Sequence, residues 1–525
     1  MLCAREPSQA GHAGDSPIES NSRASLLRYS PALVLFVIAI VDIQRWADPD
    51  LWGHVAFGRA MLATRHFAFH DPYSYSAPGY LWLNHEWLSE LLMGAIYNLG
   101  GVIGLKLMKF GCCAVVIVSL AEGLAEIDSP MTLQFGILVA AGIAIAPQMQ
   151  FRPQLFSFAM IAGLLAVLTK YTYRGTAPLP FVIPMLWLWA NLHGGFIVGL
   201  AALATFSAVR MTTDLLGGRG PWVGAKLLAI LAASTLATFV TPYGLGTWRA
   251  VGHAMTNPHT REIIDDWQPL MSTFDAMWHR NYAGAVPMIV AVAMFVSLAM
   301  TFVIAPRGND LPMLAIAAVM IAAAFVAMRN LPLAVIASVI PLARHSSFVF
   351  RARQTQPPGN WINQIILAAA AIVLLLESGL LSPTLRAGTA RPVGAIAFMQ
   401  ERGLSGNIMT DFTWGEYVIW HMAPASKVFI DGRYDTIYPP DVVDDYLAFH
   451  YGAAGAKEVL RKYRHDFILL SPNDEAALAV TASAPEWKQL YRDGSCVLFV
   501  RTDSTAAEIS PVIVAPRDTP PSDFP

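Results

Sequence analysis

The sequence predicts an α-helical polytopic membrane protein with a small α/β domain at its C-terminal end. Three observations predict it. Of 525 residues, 55% are hydrophobic and only 14% charged, where soluble globular chains carry about 25% charge. Apolar runs long enough to cross a bilayer, or nearly so, recur between residues 30 and 381. Beyond residue 382 the pattern changes to short apolar strands, one stretch of helical periodicity and hairpin-turn chemistry. The net charge of −2 and the lack of a basic stripe argue against a nucleic-acid partner. Of the four cysteines, Cys112 and Cys113 adjoin in an apolar run, while Cys3 and Cys496 lie near opposite ends. That spacing gives neither a disulfide framework nor a zinc site.

Residues 1–29 hold Arg5, Arg23 and Arg28 among Ser, Ala and Gly, with no apolar core. They read as a disordered cytoplasmic tail rather than a signal peptide. The runs 30–44, 104–124, 131–147, 154–170, 178–192, 195–213, 223–241, 283–304, 311–328, 331–344 and 361–381 read as about eleven spans. Basic residues in short loops mark the cytoplasmic side: Lys170 with Arg174, Arg210 with Arg219, Arg307, and the cluster Arg344, Arg351 and Arg353. That parity places 45–103, 151–154, 191–195, 241–282, 328–332 and everything after Ser382 outside the cytoplasm. The segment 87–101 is apolar, but parity and Glu90 favour a helix lying at the interface. The membrane domain therefore runs over 30–382 with its first outer loop at 45–103, and an extracytoplasmic α/β domain over 384–505. In that domain "NIMTDF", "KVFIDGR", "DFILLS" and "CVLFVR" read as strands, and 442–464 as helical. No G-x-G-x-x-G or P-loop supports nucleotide binding. The proline-rich residues 506–525 read as a disordered tail.

The first outer loop is unusual. "DPDLWGHVAFGRAMLATRHFAFHDPYSYSAPGYLWLNHEWLSE", residues 48–90, carries Asp48, Asp50, His54, Asp71, His85, Glu86 and Glu90, interleaved with Trp52, Trp82 and Trp87. Other span ends on the same side bring Arg152 with Gln154, Asn191 with His193, and Arg329 with Asn330. A charge at bilayer depth costs about 2.5–3.5 kcal/mol on the lenient scale, so such groups usually face a cavity or a partner. One polar cavity opening outward is the expectation, with first-loop acids facing arginine. The plainer readings are helix-start acids, surface positions for His66 and His70, and an interfacial belt for the tryptophans.

This layout resembles the GT-C class of membrane glycosyltransferases, which includes oligosaccharyltransferases, protein O-mannosyltransferases and lipid A aminoarabinose transferases. "DPDLWGHVAFGRAMLATRHFAFHDPYSY" looks like their first outer loop, and "NLHGG" is similar to an inter-span turn in several of them. The resemblance covers roughly residues 30 to 345 in layout. It implies transfer of a sugar from a polyprenyl-phosphate-linked donor to a lipid or polysaccharide acceptor outside a bacterial cytoplasmic membrane. By residue, Asp48 or Asp50 would be the general base or a metal ligand, since an attacking hydroxyl must lose its proton to a nearby carboxylate. Arg152 and Arg329 would hold the donor phosphate through paired guanidinium hydrogen bonds. His54, His85, Glu86, Gln154, Asn191 and His193 would contact substrate. Asp48, Asp50 and His54 could share Mg²⁺ or Mn²⁺ if the segment turns there. The chain lacks a W-W-D-x-G motif, which disfavours a peptide acceptor.

Two other functions fit the same composition. A flippase for a lipid-linked sugar also needs a polar cavity, but usually shows two related halves, and no internal repeat is present. A non-enzymatic envelope-assembly protein would use Asp431, Arg433 and Asp435 as a docking surface.

Overall fold

A computed structural model describes residues 46–218, 222–257, 264–280, 282–306, 310–350, 382–387, 390–515 and 523–525. The expected spans 30–44 and 361–381 and the N-terminal tail lie outside them. Helix α1 (Leu51–Thr64) is followed by α2 (Trp87–Ala125), α3 (Met131–Ile145), α4 (Gln154–Arg174), α5 (Val182–Leu192), α6 (Phe196–Leu216) and α7 (Trp222–Ala237). Then come α8 (Leu245–Thr256), α9 (Leu270–Arg280), α10 (Tyr282–Ile304), α11 (Leu311–Val326) and α12 (Leu331–Val349). Each remaining expected span is a helix. Among the described residues, five are long and apolar enough to cross a membrane, namely α2, α4, α6, α10 and α12. Helices α3, α5, α7 and α11 are apolar but shorter.

Helix α12 is the axis of the bundle. It packs on α3, α4, α10 and α11, and residues 331–343 are buried without interruption, as a helix apolar on every face must be. Helix α2 is too long for one crossing and breaks at Gly101, whose φ of 55° and ψ of −146° are open to glycine alone without strain. The segment expected at the interface is thus a separate helix, 87–100, ahead of the spanning part. It lies so close to α1 that a Cβ on Gly94 would stand 2.6 Å from the Arg59 backbone nitrogen.

The C-terminal domain is a six-stranded sheet of order β4-β3-β5-β7-β6-β8. Its strands are β3 (Asn407–Thr410), β4 (Lys427–Val428), β5 (Phe467–Leu470), β6 (Trp487–Arg492), β7 (Val497–Arg501) and β8 (Val512–Ile513). The expected strands are present, and β6 is added; the helical stretch divides into Pro440–His450 and Ala456–Lys462. The three parallel strands lie at one side, β3 between β4 and β5.

The first loop and this domain share one core. Trp52, Phe57 and Trp82 are buried in the same cluster as Met409, Tyr417 and Ile430, so Trp52 and Trp82 belong to a core and not to an interfacial belt. The loop also extends the sheet: Val428 N–H donates to Tyr73 O at 3.0 Å, and Tyr75 N–H to Val428 O at 3.1 Å. Strand β1 (Trp46–Ala47) pairs with β2 (Leu385–Ala387), which pairs with β9 (Asp523–Phe524). The segment from 506, expected without structure, therefore contributes β8 and β9. Phe524 is what holds it: fully buried, its ring centroid lies 5.1 Å from Trp52 and 5.4 Å from Trp420.

Arg433 locks loop to domain. Its guanidinium donates to Asp431 Oδ1 at 2.8 Å, Asp431 Oδ2 at 2.6 Å and Asp71 Oδ1 at 2.9 Å, between the rings of Phe57, Tyr73 and Trp82. Both carboxylates are wholly buried. Asp431 and Arg433 therefore form no exposed docking surface. Burial would raise the Asp71 pKa, but Arg433 and hydrogen bonds from Ser74 and Tyr73 hold it below the usual range. This contribution is present above the ordinary Asp pKa of about 3.9 and is lost as pH falls through the lower folded value. Arg433→Leu strands two buried carboxylates, a change that costs about 3–5 kcal/mol. Protease digestion in mild detergent should then open the C-terminal domain while the bundle resists; an unchanged digest and melting curve would refute the lock.

Candidate functional site

Between the bundle end and the C-terminal domain lies a cavity of about 590 Å³. The first loop lines it with Asp48, Asp50, His54, His85, Glu86 and Glu90, the bundle with Arg152, Gln154, Ser157, His193 and Arg329, and the domain with Glu416, Gly432 and Arg433. These contributions are positioned by helix starts. Asp50 precedes α1, and its backbone N–H donates to Asp48 Oδ1 at 3.0 Å. Arg152 and Gln154 open α4; Arg329 occupies a 3-10 turn at the head of α12.

One guanidinium gathers three acids. Arg152 Nε donates to Asp48 Oδ1 at 2.7 Å, Nη2 lies 2.9 Å from Asp50 Oδ2, and Nη1 donates to Asp266 Oδ2 at 3.2 Å. Burial raises the Asp50 pKa above the usual range, and Arg152 opposes that rise. A carboxylate of raised basicity is better matched to proton abstraction near neutral pH.

A second group surrounds Glu86. His193 Nδ1 accepts from the Gly195 backbone N–H at 2.9 Å and meets Ser157 Oγ at 2.7 Å. A backbone N–H can only donate, so the ring proton sits on Nε2, 3.4 Å from Glu86 Oε1. Burial drives the His193 pKa down to about 3, which keeps the ring neutral. The Trp189 indole N–H donates to Ser157 Oγ at 2.7 Å and completes the chain. Burial would raise Glu86, but His85, His193, His54 and Arg329 hold it low. Burial would lower His54; its hydrogen bond with Glu90, at 3.2 Å, and the charges of Glu86, Glu90 and Asp50 lift it to about 9.

The cavity thus collects every site residue expected from sequence except Asn191. That side chain is a tie inside the bundle, accepting from Trp87 Nε1 at 3.2 Å and donating to Trp187 O at 2.9 Å. The metal set expected from sequence is regrouped: Asp48 and Asp50 hold Arg152, while His54, Glu86 and Glu90 bring ligand atoms within 4.8 Å of one another. Glu416 and Asp266 were not legible from sequence. Glu416 reads as one acid on an amphipathic helix, and only a fold that docks this helix on α1 reveals its place.

By sequence the chain matches no family model and no curated protein. By structure it is similar to an archaeal oligosaccharyltransferase, AglB from Archaeoglobus fulgidus. Against the form tethered with an acceptor peptide, the TM-score is 0.55 at 11% identity, covering 92% of this chain and 75% of that one. Against the complex with an inhibitory peptide and a dolichol-phosphate, it is 0.53 at 11% identity, covering 85% and 70%. ArnT from Cupriavidus metallidurans, bound to undecaprenyl phosphate, aligns over 94% of this chain and 100% of its own with a TM-score of 0.44 at 13% identity. The chain has the fold of the GT-C glycosyltransferases.

Three carboxylates converging on Arg152 give a direct test. Arg152→Gln leaves them facing one another without a cation, so the melting temperature should fall. The drop should be larger at pH 7 than at pH 5, where protonation relieves part of the repulsion. Equal drops at both pH values would show that packing, not charge, is the role of Arg152.

Proposed function

We propose that this protein transfers a sugar from a polyprenyl-phosphate-linked donor to an acceptor on the outer side of a bacterial cytoplasmic membrane. The observation that carries the reading is the cavity itself: first-loop carboxylates and an arginine face one space at the end of a GT-C bundle. A lipid-borne donor suits that position, because its chain can lie among apolar helices while its phosphate reaches the cavity. Asp50 is the base we assign. Its Oδ2 is held 2.9 Å from Arg152 Nη2, and its Oδ1 is directed towards Gly432 beside the Glu416 carboxyl. As the acceptor oxygen bonds to the anomeric carbon, its proton passes to Asp50 and the glycosidic electron pair leaves with the phosphate.

Arg329 is the phosphate-binding group we assign. Its guanidinium lies 4.2 Å from the Trp267 ring centroid on the cavity wall. Arg152 has three nitrogens engaged by carboxylates, which suits it to holding Asp50 in place. Charge that develops on the leaving phosphate is stabilised more in the transition state than in the ground state by a fixed guanidinium.

A divalent cation would find a donor set in His54, Glu86 and Glu90, one imidazole and two carboxylates, on displacing the proton that His54 shares with Glu90. Mg²⁺ or Mn²⁺ bound there would add positive charge beside the leaving phosphate. The envelope-assembly reading loses support because two of its three docking residues, Asp431 and Arg433, are buried.

Purified protein in detergent should transfer sugar from a polyprenyl phosphate and ignore the matching nucleotide sugar. Asp50→Asn should lower turnover by roughly 10²–10⁴-fold at near-normal abundance. Arg329→Ala should lower kcat more than it raises the acceptor KM, with Lys rescuing only in part. Transfer from a nucleotide sugar with no lipid present would overturn the reading. Manganese binding followed by electron paramagnetic resonance, lost in Glu90→Gln, would test the cation set apart from activity.

A further inference from the structure

Two carboxyl groups from distant parts of the chain meet over Gly432. A Cβ on Gly432 would lie 2.6 Å from Asp50 Oδ1 and 2.9 Å from Glu416 Oε1, so any side chain there would fill the space these oxygens face. Each carboxyl has its other oxygen fixed: Asp50 Oδ2 by Arg152 Nη2 at 2.9 Å, and Glu416 Oε2 by the Gly53 backbone N–H at 3.1 Å. Gly53 is equally constrained, since a Cβ on it would stand 2.1 Å from Glu416 Oε2. Glu416 is 2% exposed, yet its carboxyl lines the cavity.

The Gly53 N–H can only donate, so a proton on Glu416 resides on Oε1, the oxygen beside Gly432. The surroundings favour that proton. Burial first, then the charges of Asp50, Asp431 and Glu90, lift this carboxyl well above the usual glutamate range, against the pull of Arg433. With the proton on Glu416 and Asp50 ionised beside Arg152, the space over Gly432 has an acceptor on one side and a donor on the other.

We propose that a substrate hydroxyl binds between Asp50 Oδ1 and Glu416 Oε1, donating to the first and accepting from the second, with Gly432 as the floor. This assignment rests on the glycosyl-transfer reading and adds to it a substrate-binding residue supplied by the C-terminal domain. The chemistry selects a hydroxyl. Its oxygen both donates and accepts, whereas an ammonium only donates and a phosphate dianion only accepts. The hydroxyl is either the attacking group of the acceptor or a ring hydroxyl of the transferred sugar. In the first case its oxygen bonds to the anomeric carbon, its proton moves to Asp50, the phosphate departs with the glycosidic electron pair, and Glu416 keeps its own proton.

Full-length protein, wild type and Glu416→Gln, is first compared by infrared absorption at neutral pH. The wild type should show the C=O stretch of a protonated carboxyl group that Glu416→Gln removes; absence of that band overturns the proposal, with or without transfer activity. Polyprenyl-phosphate mannose and polyprenyl-phosphate glucose then serve as probe donors. Glu416→Gln keeps a donor and an acceptor and should retain most activity, whereas Glu416→Ala should lose roughly 10- to 100-fold in kcat/KM, the worth of one buried hydrogen bond. A raised donor KM, with slower donor hydrolysis, identifies the sugar hydroxyl. A loss confined to acceptor kcat/KM identifies the attacking hydroxyl. Wild-type kinetics in Glu416→Ala would overturn the proposal. No transfer by wild type from any polyprenyl-phosphate sugar would remove the glycosyl-transfer reading and this assignment with it, and a surviving infrared band would mark that failure as the reading's own.

Discussion

The architecture depends on one buried guanidinium. Arg433 leaves the C-terminal domain, passes between Phe57, Tyr73 and Trp82, and ends on Asp71 of the first loop while still held by Asp431. Burying three charges brings little net stability by itself, because their desolvation offsets most of the attraction. What it specifies is orientation. A planar donor with partners on two separate chain segments fits only one arrangement of those segments. With loop and domain fixed to each other, α1 and the helix at 412–422 are in contact, and Asp50 and Glu416 are brought to one place. The parallel strands β3 and β4 run into Asp411 and Asp431 at the same end. The carboxyl edge of the sheet, where open α/β sheets commonly bind ligands, therefore meets the cavity.

Inside the cavity, charge is sorted rather than balanced at each point. Three acids are committed to Arg152, and His54 is committed to Glu90. His193 is kept neutral by burial, and the two groups on its Nδ1 leave its ring proton on Nε2, which faces Glu86 at 3.4 Å. The acids and Arg329 line the same space. In the proposed reaction, a transferred group between them would meet hydrogen-bond acceptors on its hydroxyls and a cation near its leaving phosphate.

Much of this was legible in the sequence, and the reasons differ by level. The expected spans within the described residues appear as helices because apolar length is a strong signal. The convergence of Asp48, Asp50, His54, His85, Glu86, Arg152, Gln154, His193 and Arg329 on one cavity follows from parity, since each lies at a helix end on one side. What sequence could not give was pairing. Two arginines read alike as phosphate ligands, yet only the fold shows Arg152 enclosed by Asp48, Asp50 and Asp266. Asn191 sits in the same turn as His193, but α5 carries it into the bundle towards Trp87. Tryptophans near a membrane suggested a belt; Trp52 and Trp82 were instead the contact surface for a domain more than three hundred residues away. Phe524 was hidden by its proline-rich neighbours, because one aromatic residue in a polar tail has no period to reveal it.

The glycines of the site carry the last part of the physical account. Gly53 and Gly432 lie on segments from opposite ends of the chain, yet both are shaped by Glu416. A methyl group on the first would stand against Oε2, and one on the second would occupy the space that Oε1 faces. The absence of both side chains therefore lets the Glu416 carboxyl lie against Gly53 with its other oxygen beside Gly432 and Asp50. Such an arrangement forms only when the C-terminal domain is docked, because Glu416 comes from that domain while Gly53 and Asp50 come from the first loop. Docking of the C-terminal domain and assembly of the proposed reaction centre are thus linked.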